Sequence, residues 1–167
     1  DVRLQGRTRF GPGATFLQES FAGFLVYGDF FNDTPTMRGT PEDPLYIRRA
    51  NPDATPAGVA LFSGDAQYLD VDGARITSTA GLNTIDECTV RNSPIGVYSD
   101  LSAFVYIRGC QFFDNQIGVQ DEYTSFETLN MDGRERPNIF EGNTLTARAT
   151  RSAWASRRCP GAPCAPT

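Results

Sequence analysis

The sequence predicts an all-β chain wound as a solenoid, and three observations predict it. Two short segments, NSPIGVYSD at 92–100 and DNQIGVQDE at 114–122, write I-G-V twice with polar turn residues before it and acids after it. Overlaying 82–100 on 104–122 then sets Leu82 on Phe104, Ile85 on Ile107, Cys88 on Cys110 and Val90 on Phe112, with Ile95-Gly96-Val97 on Ile117-Gly118-Val119. From about Ala60 onward, runs of β-formers alternate with Asn, Asp, Gly and Ser turns, and no segment carries the apolar period of a helix.

A repeat of about 22 residues made of strands is the mark of a solenoid. The leucine ladder of a leucine-rich repeat is absent, and helical repeats run longer. The remaining solution is a parallel β-helix of about three or four coils, each holding about three short strands and stacking about 4.8 Å from the next. The expected inward columns are Leu82/Phe104/Phe126, Ile85/Ile107/Leu129 and Val90/Phe112, with Cys88 over Cys110 as a thiol column that reads as small apolar core filler. Gly109 suits a left-handed bend, and Glu87 stands in the same place one coil earlier with less ease. Asn92-Ser93, Asp114-Asn115 and Gly142-Asn143 mark a second turn.

Three regions follow in chain order. Residues 1–59 form a β-rich and loop-containing capping or assembly segment. Six of the twelve phenylalanines lie between Phe10 and Phe31, and FAGFLVYGDFF is too glycine-interrupted for a helix. Five of the eleven prolines fall in 32–58, a loop broken by one strand candidate, LYIRR at 45–49. Residues 60–145 hold the parallel β-helix. Residues 146–167 form an extended tail containing Arg, Pro and Cys; its Cys159 and Cys164 fit a local disulfide or two free thiols, since zinc wants four ligands.

Composition removes several chemistries. All fifteen basic residues are arginines, and there is no His. Histidine-dependent nucleophilic catalysis, a P-loop lysine and a Schiff-base lysine are therefore excluded from this chain. Residues 60–145 carry thirteen acids against five arginines, a balance of −8 that repels nucleic acid. No apolar run approaches membrane-spanning length. No cofactor is implied.

The strings TIDECTVRNSPIGV, YIRGCQFFDNQIGV and NIFEGNT resemble right-handed parallel β-helix proteins of the pectin-lyase-like superfamily, and most of all a bacteriophage tailspike or tail-fibre-type protein. The resemblance covers about residues 65–145. It implies a right-handed coil, a homo-oligomer such as a trimer or a subunit of a larger assembly, and an extracellular or virion-surface location. The expected role is a non-catalytic structural or adhesion component that binds polysaccharide.

Candidate residues follow from stacking. Tyr98, Asp100, Glu122 and Tyr123 would share a face that contacts glycan, and its acidity favours neutral or basic sugars. The alternative is a carboxylate-dependent polysaccharide lyase or glycoside hydrolase with Asp100, Glu122 and Asp121 as catalytic candidates. Asp70, Asp72, Asp86 and Arg108 would imitate the calcium-and-base set of a pectate lyase. Asp70 and Asp72, in YLDVDG, are the metal candidates, against the plainer reading of DVDG as a turn.

Overall fold

A computed structural model describes residues 2–5, 13–20, 22–27, 36–55, 57–122, 129–130 and 136–149. Among them are sixteen strands and no helix. They form two sheets in which every pairing is parallel. The first sheet runs β1 (Val2–Gln5), β3 (Gly23–Tyr27), β6 (Gly58–Phe62), β9 (Ile76–Asp86), β11 (Ile95–Arg108), β13 (Ile117–Asp121) and β16 (Leu145–Ala149). Alongside it pair β4 (Thr36–Arg38), β7 (Asp65–Gln67) and β14 (Leu129–Asn130). The second sheet runs β2 (Thr15–Gln18), β5 (Leu45–Arg49), β8 (Leu69–Asp72), β10 (Thr89–Arg91), β12 (Gln111–Phe113) and β15 (Ile139–Glu141). The chain passes repeatedly from one sheet to the other, and each later strand adds beside an earlier one in the same direction. That arrangement fits a β-helix-like fold.

Like side chains meet across the pairings. Phe16, Ile47, Val71, Val90, Phe112 and Phe140 succeed one another in register across the second sheet. Phe24, Val59, Ile76, Val97, Val119 and Ala147 do the same across the first. Their middle members are fully buried, and removing each such side chain from water contributes about 1.5–3 kcal/mol. Cys88 and Cys110 are buried free thiols, each placed one residue before the registered partners Thr89 and Gln111. Leu69 holds the corresponding place before Asp70, so the thiols fill an apolar column. Burial pushes the Cys88 thiol well above its ordinary value, as an unreactive core residue requires.

The repeated I-G-V has a steric cause. Ile95 pairs with Ile117 and Val97 with Val119. A Cβ on Gly96 would lie 2.6 Å from the Gly118 carbonyl oxygen and 3.1 Å from the Phe112 ring. At Gly118 it would meet the Thr146 carbonyl oxygen at 2.6 Å and the Phe140 ring at 2.8 Å. Glycine recurs because a phenylalanine and the next backbone close in from two sides. Both turns expected from the sequence are present as left-handed backbone. Gly109 has φ 63° and Glu87 φ 53° at one; Asn92, Asp114 and Gly142 have φ 54°, 52° and 67° at the other.

An asparagine ladder ties the second turn together. Asn115 Nδ2 donates to the Val90 carbonyl at 2.9 Å, and its Oδ1 accepts the Ser93 N–H at 3.0 Å. Asn143 repeats the pattern one strand on, donating to Phe112 O at 2.7 Å and accepting from Asn115 N at 3.0 Å. These amides satisfy backbone groups that leave the sheets at the bend.

Two expected columns are corrected. Leu82 and Phe104 pair in register but point outward, 54% and 53% exposed. Alternation back from buried Ile85 puts Asn83 inside instead. Its amide brings partners with it, donating to Ser78 Oγ at 2.8 Å and Ala80 O at 3.0 Å and accepting from Gly64 N at 2.9 Å. Leu129 pairs with Val105, not with Ile107. Phe126, Trp154, Cys159 and Cys164 lie outside the described residues.

Candidate functional site

Strand alternation sorts the candidate residues before any chemistry is asked of them. On β11, Val97 and Ser99 are buried, so Tyr98 and Asp100 take the outer side. Asp121 pairs with Ser99 and is buried with it, 4% exposed, whereas Glu122 follows on the outer side. Tyr98, Asp100 and Glu122 therefore stand together, and Asp121 is turned away from them. Tyr123 lies outside the described residues.

The Tyr98 phenol donates a hydrogen bond to Glu122 Oε2. That bond, then desolvation, then the negative charges of Glu122 and Asp100 push the phenol up to about 12, with Arg75 opposing. The Arg75 guanidinium lies over the Tyr98 ring, 5.1 Å from its centre. Because the folded value is raised, the contribution to stability is fully present below the ordinary tyrosine value of about 10 and is lost as pH rises through about 12. Phenolate absorbance should thus show one late transition that Tyr98→Phe deletes. In Glu122→Gln it should return toward about 10; an unmoved transition would mean that the carboxylate does not hold the phenol.

Asp70 and Asp72 occupy the outer side of the second sheet and are engaged by arginine. Arg48 Nη2 lies 2.9 Å from Asp70 Oδ2, and Arg91 reaches Asp70 at 3.1 Å and Asp72 at 3.1 Å. Asn92 Nδ2 adds a hydrogen bond to Asp72 Oδ1 at 3.0 Å. Burial alone would raise the Asp72 carboxyl, but Asn92, Arg91 and the Arg48 charge outweigh it and hold the group below its ordinary value. Arg48, Asp72 and Arg91 are direct register neighbours, so opposite charges alternate across three strands. Each of the four carboxylate oxygens of Asp70 and Asp72 thus has a partner in Arg48, Arg91 or Asn92. Among the described residues, no three Asp, Glu, Cys or His side chains stand close enough to hold a metal.

Asp86 and Arg108 end strands of the first sheet, whereas Asp70 and Asp72 lie on the second. Arg136 lies 2.9 Å from Asp86 and 3.3 Å from Glu87, and Arg108 lies 3.7 Å from Asp86. Nearby, burial raises the Asp65 carboxyl against hydrogen bonds from Thr84.

Sequence reasoning missed Arg48, Arg75, Arg91 and Arg136. The signal that could have found two of them is spacing: Arg48 and Asp70 are 22 residues apart and Arg91 and Asp72 are 19 apart, near one repeat. Two surface features complete the description. Leu82, Phe104 and Tyr106 leave an apolar stripe on the outer side of the first sheet. A cleft of about 270 Å³ opens across the sheet-to-sheet turns at Thr55, Ala57, Gly73–Arg75 and Ser93–Ile95.

These features define a class, an all-β protein of parallel strands whose outer carboxylates are laced to arginine and tyrosine. Comparison of the chain with models of known families, with curated proteins and with solved structures found no match. Among the described residues, no helix is long and apolar enough to cross a membrane.

Proposed function

We propose that the chain is a short right-handed parallel β-helix over 60–145, with 1–59 as a capping or assembly segment and 146–167 as an extended tail. Its role is a non-catalytic structural or adhesion component of a surface or phage-tail-type assembly, extracellular or on a virion, that binds cell-surface glycan. One observation carries this reading. Asp70, Asp72, Asp86, Glu87 and Glu122 each engage an arginine or tyrosine, which is how a surface is braced. Glycoside hydrolysis needs two carboxylates about 5–10 Å apart and open to the sugar between them. The side-by-side exposure of Leu82 and Phe104 supports a neighbouring subunit, and the resemblance makes a homotrimer the preferred assembly.

The second reading, a carboxylate-dependent polysaccharide lyase or glycoside hydrolase, draws on Asp100 and Glu122 sharing the outer side. Native mass and a reducing-sugar assay over a polysaccharide panel, with and without calcium, separate the two. An oligomer that retains glycan on an array and releases no product is expected. Released oligosaccharide that disappears in Asp100→Asn or Glu122→Gln would put the enzyme in place of the adhesin.

A further inference from the structure

The cleft across the sheet-to-sheet turns combines an apolar floor with positive charge. Ala57, Ala74, Pro94 and Ile95 form the floor, Thr55 adds a hydroxyl and Arg75 a guanidinium. Among the described residues, no Asp or Glu lines it. A second guanidinium stands beside it. The Arg49 side chain covers Gly73, itself a lining residue, so closely that a Cβ there would collide with it. Arg48, Arg91, Arg108 and Arg136 each reach a carboxylate. Among the described residues, neither Arg49 nor Arg75 is ion-paired with an Asp or Glu. Two such arginines at a cleft without an acid make a local positive spot on a chain of formal net charge −5.

The three turns that line the cleft are each tied to a neighbouring strand or turn. The Thr55 N–H donates to Ser20 Oγ at 3.1 Å, the Arg75 carbonyl accepts the Val59 N–H at 3.0 Å, and the Ser93 N–H donates to Asn115 Oδ1 at 3.0 Å. The Arg75 guanidinium is held over the Tyr98 ring, 5.1 Å from its centre, and the Tyr98 phenol is itself bonded to Glu122. A guanidinium held over a ring still presents N–H groups in the fork that matches the two oxygens of a carboxylate. Because Tyr98 already restricts Arg75, such a contact costs little in side-chain ordering.

We infer that this cleft is a subsite for one acidic sugar ring of the uronic acid class, with Arg75 donating to its carboxylate and the apolar floor taking the C–H face of the ring. The inference rests on the glycan-binding reading and gives it a place and a charge. That charge is opposite to the one the sequence suggests for the face of Tyr98, Asp100 and Glu122, because other turns line the cleft and no acid does. Tyr98 is the positioning residue for Arg75, and Arg49 adds attraction through its charge. A volume of about 270 Å³ suits a single ring, because pockets for larger ligands begin at about 300 Å³.

The test uses the intact chain and saturation-transfer NMR with the methyl glycosides of glucuronate and galacturonate, methyl glucoside as the neutral control and acetate as the bare carboxylate. At least one uronide should bind at least about 10-fold more tightly than methyl glucoside, the effect of hydrogen bonds to a charged donor. Added salt should weaken the uronide and not the glucoside. Arg75 and Thr55 are exposed, so variants there should fold. Arg75→Gln keeps a donor but loses the charge and should erase the preference for uronide, while the cleft-filling Thr55→Trp should abolish uronide binding. Arg49→Ala should weaken the uronide less than Arg75→Gln does, and Leu17→Ser on the second sheet should leave it unchanged. A uronide bound no better than glucoside, a preference that survives in Arg75→Gln, or acetate bound as tightly as the uronide overturns the subsite. A glycan array positive for neutral glycans alone also overturns it and leaves the adhesion reading standing. A negative array together with unbound uronides removes both.

Discussion

Phe112→Ala is expected to cost about 3–5 kcal/mol of folding free energy, a fall in thermal midpoint of roughly 6–20 °C for a chain of this size. Phe112 is the largest fully buried side chain in the molecule's described part. It lies in register between Val90 and Phe140, stacks on the Phe140 ring at 4.8 Å and closes over Gly96. Alanine would leave a void bounded by three backbones that the parallel hydrogen bonds hold in place, so little collapse can fill it. Two controls decide whether the register is right. Phe113→Ala, one residue on and turned to the other side of the strand, should cost far less. Phe104→Ala, with a side chain 53% exposed, should change stability by about 0.5 kcal/mol or less. Urea unfolding of the three variants makes the comparison. A loss at Phe104 equal to that at Phe112 would restore the inward column read from the sequence and break the pairing of buried Asn83 beneath it.

The contrast between Phe112 and Phe104 shows what the sequence could reveal. Apolar columns at a 22-residue spacing were legible, Ile95 with Ile117, Val97 with Val119 and Val90 with Phe112, and so were the left-handed turns at Asn92, Asp114 and Gly142. Each needs only a parallel ladder and a repeat. The errors came where hydrophobicity was a poor guide to direction. Leu82 and Phe104 look like core, but Asn83 can be buried because Ser78, Ala80 and Gly64 complete its hydrogen bonds, and strand alternation does the rest. Register also drifted where the chain between strands lengthens: Ser93 meets Asn115 at a separation of 22, whereas Asn115 meets Asn143 at 28. A longer surface connection is thermodynamically cheap and leaves no hydrophobic trace. The site was legible only in part for a related reason. Tyr98, Asp100 and Glu122 share a side because they repeat at the strand period, but the arginines beside Asp70, Asp72 and Asp86 depend on side-chain reach across strands. Arg136 and Asp86 are 50 residues apart, a pairing that no local pattern announces.

Asn115→Ala should rival the loss of Phe112, although it removes a polar side chain. Asn115 is 2% exposed, and its amide serves two backbone groups at once, the Val90 carbonyl and the Ser93 N–H. Alanine leaves both buried and unpaired, at about 1–3 kcal/mol each, for a combined cost of roughly 2–6 kcal/mol. Asn115→Asp separates the two roles. The carboxyl can still accept from Ser93, but an ionised oxygen would face the Val90 carbonyl, and only the protonated acid can donate there. Burial and that contact raise the folded-state value above the ordinary aspartate value. The stability of the aspartate variant is therefore highest below the ordinary value and is lost as pH rises through the folded one. Measured against wild type at each pH, the deficit of Asn115→Asp should be small in acid and grow toward neutrality, while that of Asn115→Ala should stay level. Equal, pH-independent deficits in the two variants would mean that the amide donor does not matter. The ladder from Ser93 through Asn115 to Asn143 would then be a consequence of strand stacking and not one of its causes.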